Sequence, residues 1–235
     1  MLLHILKTFL ADVKQTSWRR CVTAMQVIMA FTPMRYMHIQ RSRPIARCKV
    51  WMAFWCFRNK RKDESGARQG FKWYVATVVP EVALAADVVW TCWHQALKSA
   101  VEATPHSYLV MDMRSQLPVT SGKFNDILQE VVSPILAEDN SIRCTSYSLR
   151  KVQPTAMDLR DADWAERFRI GLWNQPGMPK PESVMPMRYS GVKDAGELEV
   201  EAGRQLMILR ALGSGRVAGE KLTGVGVRVV KEVAC

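Results

Sequence analysis

Cys48-Lys-Val-Trp-Met-Ala-Phe-Trp-Cys-Phe57 leads into Asn59-Lys-Arg-Lys-Asp-Glu-Ser-Gly66 and then Gly70-Phe-Lys-Trp-Tyr-Val-Ala-Thr-Val-Val79, and these three segments decide the fold class. The outer two are rich in aromatic and β-branched residues, which suit a pleated, half-buried surface. The middle one is made of turn formers. Together they predict a β-hairpin with a basic tip. The chain on either side has helical spacing instead. Leu2, Leu3, Ile5, Leu6, Phe9 and Leu10 predict a short amphipathic helix over 2–13, and Ser17 is the expected N-cap of a second helix running to Phe31. Pro33 should end or kink that helix just before Arg35. Further helices are expected over 82–104, over 121–136 with Phe124, Ile127, Leu128, Val131 and Val132 on one face, from Ser146, over 163–170 and over 196–212. Residues 107–112 read as a short extended piece. The tail 213–235, with five glycines and a Val-rich end, has no period that assigns it. The expected class is mainly α with a small antiparallel β-hairpin or sheet, an α+β domain. The expected division is an N-terminal helical extension (1–17), a catalytic-type domain (18–195), and a C-terminal helix and tail (196–235).

Composition narrows the function classes. A chain of 235 residues with 48% hydrophobic and 23% charged residues buries a core of its own. Six scattered cysteines (Cys21, Cys48, Cys56, Cys92, Cys144, Cys235) lack any CxxC pair, and His4, His38, His94 and His106 lack metal-ligand spacing. This argues against a zinc site or a disulfide framework and for a reducing, intracellular setting. No membrane span is expected: the charge-free run Cys21–Met34 has 14 residues and includes Pro33, where a span needs roughly 20. Charge is distributed unevenly. Residues 1–75 carry 15 Lys and Arg against 3 Asp and Glu, and the remaining residues 18 against 19. A net excess confined to one third of the chain suits a polyanion-facing surface, or else a solvated basic face. Met25, Met29, Met34 and Met37 read as core packing.

Three later segments carry a more specific signal: Thr145-Ser-Tyr-Ser-Leu-Arg-Lys151, Ile170-Gly-Leu-Trp173 and Met187-Arg-Tyr-Ser190. Their order, Tyr-x-x-Arg, then Gly-x-Trp, then an isolated Arg-Tyr, resembles the end of the catalytic domain of tyrosine recombinases, the phage-integrase family. Upstream, Met34-Arg-Tyr-Met-His-Ile-Gln-Arg-Ser42 resembles that family's first-arginine box, and Phe124-Asn-Asp-Ile-Leu-Gln129 falls where the family has a helix before its second arginine. The resemblance spans roughly residues 18–190.

Breaking a DNA phosphodiester without a metal needs cationic clamps on the nonbridging oxygens, a nucleophile and a proton for the leaving 5′-oxygen. Arginine suits the clamp because its planar fork matches phosphate geometry. The resemblance implies Arg35 and Arg150 as clamps, with Arg41, Arg43 and Arg47 as rival phosphate-binding residues near the first. It implies Lys60 as general acid, with Lys62 its rival, and Tyr147 at the position usually held by histidine. Trp173 would donate its indole N–H or buttress the site, and Tyr189 would be the nucleophile. No cofactor or metal is required. The implied partners are double-stranded DNA and further copies of the chain assembled on it, with no membrane; the location is intracellular and DNA-associated. Tyr147 in place of histidine, and a long interval from Trp173 to Tyr189 bearing Pro176, Pro179, Pro181 and Pro186, depart from the family's pattern. They leave open a catalytically inactive DNA-binding remnant of a mobile-element recombinase.

Overall fold

The computed structural model describes residues 2–32, 34–57, 70–99, 108–112, 117–134 and 143–152, and the single positions 115, 156, 203, 205 and 206. Its centre is α2 (Ser17–Ala30), in which every residue from Cys21 to Ala30 is buried. A helix apolar on all sides needs neighbours on all sides. Among those neighbours are α1 (Leu2–Ala11), α4 (Pro80–Cys92) and α5 (Ser121–Val132). Leu6 and Leu10 bring α1 fully into the common core, and Met25 and Met29 fill it from α2. Two buried polar side chains of α2 donate to backbone carbonyls, although Gln26 Oε1 accepts no bond among the described residues. Thr23 Oγ1 donates to the Arg19 carbonyl (3.1 Å), and Gln26 Nε2 donates to the Phe124 carbonyl on α5 (2.8 Å).

Helix ends follow local chemistry with small shifts. The N-cap of α2 is Thr16, in extended conformation, one residue before the expected Ser17. Pro80 occupies the first turn of α4, where its missing N–H costs nothing, so that helix starts two residues earlier than its apolar spacing predicts. It continues into a π-helical turn, Trp93–Leu97. At the C-terminal end of α1, Arg20 Nε and Nη2 both donate to the Leu10 carbonyl, satisfying one of the helix's orphan acceptors.

The hairpin strands are β2 (Trp51–Cys56) and β3 (Phe71–Ala76), antiparallel with Trp51 opposite Ala76 and Cys56 opposite Phe71. A third strand joins them that strand propensity did not reveal: β1 (Ser42–Arg47), Ser-Arg-Pro-Ile-Ala-Arg, paired antiparallel to β2. It lies at the sheet edge and its register breaks between Pro44 and Ala46, the setting in which a strand tolerates proline. Met52, Phe54, Cys56, Trp73 and Val75 face the helical core, with the Phe54 and Trp73 rings stacked at 4.2 Å. The expected extended piece at 107–112 reduces to β4 (Met111–Asp112), paired with the short β5 (Leu117–Pro118).

Helices around a small antiparallel sheet make an α+β protein. Among the described residues no helix is long and apolar enough to cross a membrane. The expected helix 163–170 and the hairpin tip 59–66 lie outside the described residues. Of 196–212, Gly203, Gln205 and Leu206 are described and helical, with Gln205 fully buried.

Candidate functional site

Two short helices carry the candidate arginines, and each is pinned by side chains that point away from the site. The first is α3 (Tyr36–Gln40), whose N-cap residue is Arg35 in extended backbone conformation. Arg35 itself is exposed. One residue on, Tyr36 packs its ring against Phe124 (4.7 Å between centroids) and donates its hydroxyl to the Val119 carbonyl. Gln40 Nε2 donates to the same carbonyl (2.6 Å) and to the Tyr36 hydroxyl (3.0 Å). Burial drives the Tyr36 phenol far above its ordinary pKa, with the bond from Gln40 opposing. The far end of α3 is tied to the sheet. Ser42 Oγ donates to the His38 carbonyl (2.6 Å) and accepts from Trp73 Nε1 (2.8 Å).

The second is α6 (Ser146–Arg150), which ends on Arg150. Thr145 caps it, accepting from the Ser148 backbone N–H while Ser148 Oγ accepts from the Thr145 N–H, a reciprocal capping box. Two residues one turn apart on α5 hold the approach. Asn125 Oδ1 accepts from the Ser146 N–H and Gln129 Oε1 from the Cys144 N–H, both at 2.8 Å. Leu149 anchors α6 in the core.

This scaffolding brings the Arg35 and Arg150 guanidinium groups, distant in sequence, into one electrostatic environment. Burial lowers the pKa of the half-buried Arg150, and the positive charge of Arg35 lowers it further, whereas Tyr147 acts in the opposite direction. Like charges near one another repel, and an anion beside them relieves both. Tyr147, one helical turn before Arg150, is 64% exposed, and the Lys151 ammonium stands 5.2 Å from its ring centre. Its phenol is thus accessible beside the arginine pair.

The rival arginines have other company. Arg47 forms an ion pair with Asp87 on α4, and Arg43 lies over the Phe57 ring at 4.7 Å on the far side of the sheet. Arg41 caps the C-terminal end of α3. Of the four, Arg35 is the one whose charge acts on Arg150. Lys60, Lys62, Trp173 and Tyr189 lie outside the described residues. Among the described residues no group of three or more His, Cys, Asp or Glu is arranged to hold a metal ion.

Sequence reasoning missed the residues that position the arginines: Tyr36, Gln40, Asn125 and Gln129. The Thr145-x-x-Ser148 spacing was a legible sign of a capped helix start. The others act between residues 15 to 83 positions apart, where a single sequence has no periodic signal. No family model matches this chain, and no curated protein and no solved structure is found to be similar to it.

Proposed function

We propose that this chain is a DNA strand transferase of the tyrosine-recombinase type, cutting and rejoining duplex DNA through a 3′-phosphotyrosine. In this reading Arg35 and Arg150 grip the nonbridging oxygens of one phosphate. The Tyr189 phenolate oxygen bonds to phosphorus as the bond to the 5′-oxygen breaks. Lys60 gives that oxygen its proton, and the phenolic proton passes to water. A 5′-hydroxyl then attacks the phosphotyrosine, restores the phosphodiester and releases Tyr189, so no external energy source is consumed. Trp173 supports the phosphate, and Tyr147 hydrogen-bonds to it in place of a histidine. The reaction runs on paired sites held by several copies of the chain.

The observation that carries this reading is that Arg35, at the start of one short helix, and Arg150, at the end of another, lie near enough for the charge of the first to act on the second. Two cations held on separately pinned helix ends form a poor surface feature and a good clamp for the nonbridging oxygens of a pentacoordinate phosphorane-like transition state, on which negative charge builds. The concentration of basic residues in 1–75 supports a phosphate backbone as the partner. A nicked suicide duplex tests it. The wild-type chain should form a covalent protein–DNA adduct, Tyr189→Phe none, and Arg35→Gln or Arg150→Gln at most about a hundredth as much, the loss of a charge-assisted bond to the phosphate. An adduct that persists in Tyr189→Phe would refute the assignment.

A second reading, a DNA-binding remnant without strand transfer, is favoured by Tyr147, since a phenol accepts a proton poorly near neutral pH where an imidazole accepts it well. It predicts salt-dependent duplex binding lost in Arg35→Gln, with no adduct on any sequence.

A further inference from the structure

Arg41 is a half-buried cation with no carboxylate to balance it. It follows α3 directly, where its backbone N–H donates to the Met37 carbonyl and its own carbonyl accepts from the Phe57 N–H (3.0 Å), just past the end of β2. The next residue is fixed as well: Ser42 is fully buried and bonded to both the His38 carbonyl and Trp73 Nε1. The Arg41 side chain therefore leaves from a pinned corner between helix and sheet. Its Nε and Nη1 are enclosed and have no hydrogen-bond partner among the described residues. Arg19 shows the usual remedy. Its Nε is enclosed too, but its Nη2 donates to Glu130 (2.5 Å). Arg47, six residues beyond Arg41, has Asp87. Among the described residues no carboxylate is paired with Arg41, with Arg35 at the other end of α3, or with Arg43 two residues on.

We propose that Arg41 anchors a second anion site, one that takes a phosphate group at the corner where α3 meets β1. An enclosed guanidinium without an acceptor bears the desolvation cost of its charge, and a bound anion offsets that cost. The neighbours select the kind of anion. Arg35 and Arg41 are six residues apart across α3, about 9 Å at ~1.5 Å per residue, and Arg43 follows two residues later. Coulomb attraction to three cations grows with the charge of the ligand and its surroundings. That favours inorganic phosphate, or a phosphate within a nucleic-acid strand, over chloride or an isolated carboxylate. The planar fork of a guanidinium also matches phosphate oxygens. The site rests on Arg41 and its surroundings whether or not Tyr189 attacks DNA; only the supply of its phosphate by the DNA strand held at the Arg35–Arg150 clamp rests on the strand-transfer reading.

The test titrates inorganic phosphate into the full chain at constant ionic strength and reads the urea midpoint. It is run in Arg150→Gln, so that the clamp does not contribute. Phosphate at ten times its Kd should raise the folded-to-unfolded ratio about 11-fold. Adding Arg41→Leu should abolish that shift. Without phosphate, Arg41→Leu should unfold at an equal or higher urea concentration, because it removes an uncompensated charge. No phosphate shift in Arg150→Gln, or a shift that survives Arg41→Leu, overturns the proposal. So does an Arg41→Leu chain that is destabilised or fails to fold in phosphate-free buffer. A second arm finds the source of the phosphate. In the otherwise unaltered chain, Arg41→Leu should lower the salt slope for a blunt duplex by about 0.9, one phosphate contact. An unchanged slope overturns the DNA strand as the source and assigns the site to free phosphate. Absence of a covalent adduct from the wild-type chain, with the phosphate shift intact, would be a failure of the strand-transfer reading and not of this site.

Discussion

The Val119 carbonyl is the point on which the first arginine depends, and its double acceptance makes a quantitative test. Val119 is buried, and its oxygen takes one hydrogen bond from the Tyr36 hydroxyl and one from Gln40 Nε2. Tyr36→Phe removes one donor and keeps the ring against Phe124, so the carbonyl still has Gln40. The expected cost is that of one net hydrogen bond, about 1 kcal/mol. Gln40→Leu alone leaves the Tyr36 hydroxyl in place and should cost about the same. In the double variant the carbonyl loses both side-chain donors while buried, which adds a desolvation penalty of about 1–3 kcal/mol. The double variant should therefore be destabilised by about 3–5 kcal/mol, with a coupling of at least about 1 kcal/mol beyond additivity. Urea unfolding of the four proteins measures it, provided the m-values agree. Because Arg35 immediately precedes Tyr36, the adduct yield should fall in the same order. Additivity within about 0.3 kcal/mol would show that the two donors do not share an acceptor that matters, and the account of how α3 is held would be wrong.

Tyr36 also makes a pH prediction. Its folded-state pKa lies above the unfolded value of 10.0, so its contribution is complete below about pH 10 and is lost as pH rises beyond it; in Tyr36→Phe that increment of alkaline destabilisation should vanish from urea midpoints taken between about pH 8 and 11. Arg35→Gln removes the like charge that faces Arg150, so thermal stability should hold or rise while salt-dependent duplex affinity falls about tenfold or more, a separation that a purely structural Arg35 would not produce. Thr145→Ala breaks the capping box of α6 and should cost about 1 kcal/mol in chemical denaturation, more than Ser146→Ala, whose hydroxyl plays no part in that cap. Burial raises the thiol pKa of both Cys21 and Cys92, so a thiol reagent near pH 8 should modify half-buried Cys48 before either of them and reach Cys21 and Cys92 only as the protein unfolds.

Local rules reached far into this fold. Aromatic and β-branched runs marked β2 and β3, and 3.6-residue spacing marked α1, α2 and α5, because one buried face per element is a periodic property of sequence. The edge strand β1 stayed hidden, since Arg-Pro-Ile-Ala-Arg has neither the period nor the composition of a strand and becomes one only by pairing with β2. The same division applies to the site. Sequence alone nominated Arg35 and Arg150 by motif order, and a helix starting at Ser146.

Which of Arg35, Arg41, Arg43 and Arg47 acts on Arg150 through its charge was beyond it, because all four lie in one basic run and differ only in where α3 ends and β1 begins. Tertiary structure decided that question through Tyr36 and Gln40 on the Val119 carbonyl, and through Asn125 and Gln129 on the approach to α6. Electrostatic contact between distant residues is a property of the packed chain, since Coulomb energy depends on distance in space and not on separation along the backbone.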